Sequence, residues 1–269
     1  MTTGLQCLQF SIENAKLQNI QDWASMPEYW NRQVRINGFS LPAGYTCPAA
    51  NLCLSKADRV TGKITDGKHN EFRCFMASIE AYSPQLRALL WKNFDILRET
   101  YRMLGMEGLV SVLYDALPDT DIVRIHVDGD FFNQAYFNAW VQVARLRPDV
   151  TFYAYTKSLN FWEHALLHGG IPDNLKLTAS YGGDYDDMIN GDNGKVSMVE
   201  EYGIKSARVV LNPEEAYRLE LPIHHNEWHA IAGTQPFALL LHGTQPKGSK
   251  AAAALKDLKL RGIKFAYSK

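Results

Sequence analysis

From Ile122 onward, short apolar segments alternate with amphipathic ones at a nearly fixed interval, and this rhythm restricts the chain to very few folds. Ile122–Val127, Val150–Tyr155, Leu175–Ala179, Ala207–Leu211 and Phe237–Leu241 each read as a strand, short and apolar and mostly rich in β-branched or aromatic side chains. Gln134–Arg145, Leu159–Leu167, Val196–Tyr202 and Lys250–Arg261 read as helices between or after them. Parallel strands need a crossover long enough to hold a helix, so this alternation predicts parallel β/α units. The strands are apolar throughout, as in a sheet covered on both faces. The expected class is α/β. At roughly 25–30 residues per unit, the architecture is a partial or TIM-like barrel, or an open sheet.

One domain over residues 1–269 accommodates this pattern: 1–38 as an N-terminal cap, 39–78 as a cysteine-bearing loop, and 79–269 as the β/α repeats. In the cap, Leu5–Ile12 alternates weakly enough for an edge strand, and Trp23, Tyr29 and Trp30 cluster around Pro27. Residues 79–104 predict a long helix, with Leu86, Leu89, Leu90, Phe94, Leu97, Tyr101 and Leu104 recurring at spacings of three and four. Ser83-Pro84 suits its start, and Gly105 and Gly108 interrupt it before a second helix at Leu109–Leu117.

The strand ends deliver polar groups one after another: Asp128, Gly129 and Asp130, then Thr156 and Lys157, then Ser180, then Asn212, then His242. In a parallel β/α fold all carboxyl ends share one rim, where ligands bind. Capping of the following helices is the competing explanation for Asp, Ser, Thr and Asn, less so for Lys157. The run His224-His225-Asn226-Glu227-Trp228-His229 suggests metal at first sight, but it lacks a third and fourth ligand and reads as surface histidines at a helix start. Tyr181–Gly194 carries four Asp outside the calcium-loop pattern and reads as a solvated turn or a loop over the rim. No strand is followed by a Gly-rich dinucleotide or P-loop motif.

A net charge of −1 gives no bulk field for nucleic acid or an anionic membrane surface. No apolar run reaches about 18 residues, so no membrane span is expected, and the N-terminus lacks a secretion signal. The expected compartment is the cytoplasm, where disulfides are disfavoured. Cys7, Cys47, Cys53 and Cys74 nevertheless all fall in the first third of the chain. The loop that carries Cys47, Cys53 and Cys74 is long for a compact domain and has to be held by something. The paired C-x2-C spacing of structural zinc is missing. Three thiolates on a [4Fe-4S] cluster with one open iron position is the expectation, with Cys7 as an inert core thiol or a fourth ligand; that none of them binds metal is the alternative.

Several stretches resemble the bacteriophage "gene product 88" family: Ser40 to Pro48, Gly62 to Gly67, Phe72-Arg73-Cys74-Phe75, Gly129-Asp130-Phe131-Phe132, Phe152 to Ser158 and Leu240 to Pro246. The resemblance spans roughly residues 40–250. In its order of parts the chain is also similar to radical S-adenosylmethionine enzymes, which place three cysteines after the first strand of a partial barrel. Their usual C-x3-C-x2-C is replaced here by C-x5-C-x20-C. That second resemblance implies a cluster held by Cys47, Cys53 and Cys74, and S-adenosylmethionine seated on Asp128, Gly129, Asp130 and Ser180. Lys157 and His242 would then face the substrate as catalytic residues. Two expectations follow. One is an iron–sulfur enzyme acting on a small molecule, nucleotide or host macromolecule at the barrel mouth. The other is a non-catalytic phage protein with a structural metal or cluster that binds a host partner.

Overall fold

The computed structural model describes residues 7–12, 29, 32–224 and 227–263. The elements run β1 (Ser11–Ile12), β2 (Ile36–Phe39), β3 (Ser55–Ala57), β4 (Ile64–Asp66), α1 (Phe75–Tyr82) and α2 (Pro84–Ala116). Then follow β5 (Ile122–Ile125), α3 (Gln134–Leu146), β6 (Thr151–Thr156), α4 (Leu159–Leu167), β7 (Leu175–Ser180), α5 (Asp186–Asn190), α6 (Met198–Tyr202), β8 (Lys205–Val210), α7 (Pro213–Arg218), α8 (Trp228–Ile231), β9 (Phe237–Leu240) and α9 (Lys250–Leu260). The main sheet has the order β1-β2-β5-β6-β7-β8-β9, parallel from β2 to β9, with β1 antiparallel on the edge. No pairing joins β9 back to β2 among the described residues. The expected TIM-like barrel is therefore corrected to an open sheet of six parallel strands flanked by helices.

Although α8, in the β8–β9 connection, packs on the opposite face, strands added in sequence order by right-handed crossovers bring their connecting helices to one face, as α2 and α3 show. That face is the dry one. Val123, Ile125, Phe152, Ala154, Leu175, Leu177 and Ala179 pack there with Phe137, Trp140, Val141 and Ala144 of α3 and with Leu97, Leu109 and Leu113 of α2. The alternate residues point to the opposite face. There Ile122 and Tyr153 pack with Tyr29 and with Ala230 and Ile231 of α8. Further along the same strands this face presents Arg124 and Tyr155 to a cavity. The strands are thus not apolar on both faces, as their composition suggested. One face is core, and the other changes from core to site along its length.

Ser83 caps α2, its hydroxyl accepting from Leu86 N–H at 3.4 Å, with Pro84 in the first turn. Gly105 breaks the helical geometry at φ 64, where the glycine interruption was expected. The segment 39–78 differs from its expected form. It contains the β3–β4 hairpin, and α1 begins at Phe75. Trp23, Pro27 and Trp30 lie outside the described residues. Tyr29 is buried, its hydroxyl 2.6 Å from Thr151 Oγ1.

Candidate functional site

At the carboxyl ends of β5 to β9 lies a cavity of about 210 Å³. It gathers residues from both halves of the chain: Cys47, Cys53 and Cys74 from the loop, Asp128, Gly129 and Asp130 after β5, Lys157 after β6, Ser180, and His242 after β9. The rim expected from the strand ends is therefore present, and the cysteine-bearing segment folds onto it. Cys7 is exposed and lies outside the lining.

The two aspartates are alike in sequence but not in setting. Asp130 is consumed internally. Its Oδ1 accepts from Phe131 N–H and Thr156 Oγ1, both at 2.7 Å, and its Oδ2 accepts from Lys157 N–H at 2.9 Å. It fastens the end of β5 to the end of β6. Burial still outweighs these bonds and raises its pKa from 3.8 to about 6. Asp128 is only 2% exposed, and among the described residues no side-chain donor reaches either carboxylate oxygen, the adjacent Gly129 N–H only partly offsetting its burial. Its close polar neighbour is Glu80 of α1, another carboxyl. Glu80 Oε1 accepts from Ala43 N–H at 2.8 Å, while Oε2 also lacks a donor. Burial, then the Glu80 carboxyl, push Asp128 well above the ordinary carboxylate range, and burial raises Glu80 too. Two facing acceptors can hydrogen-bond only by sharing a proton, and that is the state these shifts describe.

Gly129 makes this turn possible. It sits at φ +88, and a Cβ there would stand 2.6 Å from Thr46 Oγ1 and 2.9 Å from Leu41 O. Three residues earlier, His126 adopts φ 64, rare for a residue with a side chain. Its ring is buried, Nε2 is 3.0 Å from the Tyr136 hydroxyl, and Nδ1 has no partner among the described residues. Burial holds its pKa down at about 3, so it is neutral.

Lys157 crosses to the next strand, donating to Ser180 Oγ at 2.6 Å, Tyr181 O at 2.7 Å and Ser180 O at 3.3 Å. His242 packs its ring on Phe75, centroids 4.6 Å apart. Arg124 pairs with Glu227 at 3.1 Å, both buried, and lies over the Tyr155 ring. This pair, with Glu80 and His126, is the part of the site that strand-end reasoning missed. The available signal was the Arg and His inside an otherwise apolar strand, Ile122–Val127. The segment from His224 is also not a surface run, since His224 lines the cavity and stacks on His229 at 3.1 Å; His225 lies outside the described residues. Asn212 caps α7, accepting from Glu215 N–H at 2.8 Å.

Hydrogen bonds fasten the loop to its surroundings. Asn51 and Leu52 N–H donate to Gly182 O, Glu71 and Phe72 N–H to Leu52 O, and Gly67 N–H to Leu54 O. Gln245 both accepts from Arg73 N–H and donates to Arg73 O, clamping the approach to Cys74. The Gly/Asp loop after β7 is part of this clasp, with Asp186 accepting from Gly182 and Gly183 N–H.

The expected iron–sulfur centre does not fit these residues. No three His, Cys, Asp or Glu among the described residues are grouped to hold a metal ion. In the protein alone the surroundings keep Cys47 and Cys74 protonated. Burial, then Asp130 and Cys74, push Cys47 up. Burial, then Cys53 and Asp128, push Cys74 up. Gly44 N–H reaches Cys47 Sγ at 3.3 Å, one donor against several acids.

The sequence profile of the family described as Gene product 88 matches residues 8–258. The chain belongs to that family. Among curated relatives, the "Gene 88 protein" of Mycobacterium phage L5 is 28% identical over 207 residues, 74% of this chain and 76% of the relative. The "Gene 88 protein" of Mycobacterium phage D29 is 26% identical over 194 residues, 69% and 73% of the two chains. No solved structure matches. The phage resemblance is thus correct, and the radical S-adenosylmethionine resemblance has no support in the family assignment. The expectation of an iron–sulfur protein, catalytic or structural, is withdrawn on these grounds and on the donor arrangement. No described helix is long and apolar enough to cross a membrane.

Proposed function

We propose that this Gene product 88 protein binds a small organic molecule in the cavity at the carboxyl edge of its parallel sheet. One observation carries the reading: Asp128 lines that cavity, is almost fully buried, and receives no side-chain donor from the protein apart from the proton it shares with Glu80. A buried acceptor left without a partner costs about 1–3 kcal/mol, so such a group persists where something else completes it. The location supports the same reading, because open parallel sheets bind ligands outside the carboxyl ends of their strands. The walls combine apolar side chains with a few fixed polar ones, as ligand sites do.

The cavity thiols report on occupancy. In a Cys7→Ser background, fragments from a library of small polar compounds that raise the melting temperature should also slow N-ethylmaleimide alkylation of Cys47, Cys53 and Cys74. Fragments that stabilise the protein while leaving all three alkylation rates unchanged would bind elsewhere, and the reading would fall.

A further inference from the structure

The ligand's chemistry is legible in what surrounds Asp128; this step rests on the cavity being a small-molecule site. The protein's own cations nearby are already engaged. Lys157 Nζ donates to Ser180 and Tyr181, and Arg124 is paired with Glu227. Behind Glu80, the Arg87 guanidinium donates to the carbonyls of Arg59, Val60, Glu80 and Ala81. What faces Asp128 is a carboxyl, Glu80, whose free oxygen also lacks a donor. Asp128 lines one end of a largely apolar chamber, with Glu80 behind it, and the Asp128 oxygen not engaged with Glu80 is open to a group that brings N–H donors and a positive charge. The chamber beyond is walled by Phe75, Met76, Val127, Tyr155, Leu239 and Leu241.

We propose that the cavity takes an organic ammonium with an apolar or aromatic body, the ammonium seating on the buried Asp128 carboxyl where it lines the chamber. The exchange balances: one ammonium enters, its N–H groups replace the O–H link between the carboxyls, and one proton leaves to solvent. Among the other ionisable groups close to the pair, Arg87 favours the charged form of Glu80 from behind, but none donates a hydrogen bond to Asp128. His126 is buried and neutral, Cys74 is a buried thiol, Asp130 is satisfied by its own strand ends, and Arg87 and Lys157 are held by carbonyls.

Phenethylamine and its neutral isostere 2-phenylethanol are suitable probes, titrated calorimetrically into the full chain at several pH values between 6 and 8. The expected result is tighter binding of phenethylamine by ten-fold or more, with its affinity rising with pH because one proton is released. 2-Phenylethanol should show no such slope. Asp128→Asn, which keeps the shape, should abolish both the preference and the slope, and Glu80→Gln should abolish the slope. Equal affinity for the two probes, a flat pH profile for phenethylamine, or no binding of either overturns the ammonium assignment. The small-molecule reading is judged separately by the thiol-protection experiment, so the two failures are distinguishable.

Discussion

His126→Asn and Asp130→Asn should change the pH dependence of stability in opposite directions, because the native fold buries one as a neutral base and the other as a reluctant acid. In the folded chain His126 titrates at about 3, down from 6.5. Between those values the unfolded chain binds a proton that the native one refuses. The contribution of His126 is complete above pH 6.5 and is lost as pH falls toward 3. Asp130 is raised from 3.8 to about 6. Between those values the native chain holds a proton that the unfolded one has released, so stability falls as pH rises. Each slope is about 1.4 kcal/mol per pH unit, or about 2.7 kcal/mol between pH 4 and 6. In the wild type the two nearly cancel across that window. Asn suits position 126 because it tolerates positive φ. Urea unfolding at pH 4, 5, 6 and 7, followed by far-UV circular dichroism, gives wild-type-minus-variant differences in which most other titrating groups drop out. For His126→Asn that difference should grow by about 2.7 kcal/mol from pH 4 to 6, and for Asp130→Asn it should shrink by a similar amount. The amide facing Lys157 N–H adds an offset to the second variant, not a slope. Differences independent of pH in both variants would refute the burial argument.

Gly129→Ala should cost about 2–5 kcal/mol, from positive φ and from a Cβ driven against Thr46 Oγ1 and Leu41 O; a loss below about 1 kcal/mol in urea unfolding would mean that the turn yields. The triple variant Cys47→Ser, Cys53→Ser, Cys74→Ser should keep a cooperative transition, losing roughly 1 kcal/mol per thiol, and chelators should leave the wild-type melting temperature unchanged. A chelator-sensitive transition would restore metal as the loop's fastening.

The order of strands was readable because period and chemistry agreed. Ile122–Val127 and Val150–Tyr155 are too short and too β-branched to be helices, and the segments between them are long enough to cross over. Closure was not readable. Whether six such strands stay open depends on their tilt and on what covers the second face, and here Tyr29, Ala230 and Ile231 cover part of it. The rim residues Asp128, Lys157, Ser180 and His242 were legible because a strand's last residue has one place to go. Glu80 was not. It sits in an amphipathic helix among exposed-looking neighbours, and only the packing of α1 beneath Ala43 turns it toward Asp128. The cysteine loop misled for a related reason. A long irregular segment must satisfy its backbone somehow, and sequence shows the thiols but not the carbonyl of Leu52 or Gly182 that in fact receives its N–H groups.

Two aspartates flank one glycine, and their fates show how a site is separated from its scaffold. Had Asp128 been satisfied as Asp130 is, by three donors from its own strand ends, the rim would be complete and chemically closed. Gly129 prevents this. With φ at +88 it turns the chain so that Asp130 returns to the backbone of β6 while Asp128 is left against Glu80 and the cavity. The fold spends one carboxylate on rigidity and keeps the other incomplete within a few residues. A rigid frame around an incomplete acceptor is what a binding site for a hydrogen-bond donor requires, because the ligand meets a preorganised group and little of its binding energy goes into ordering the protein.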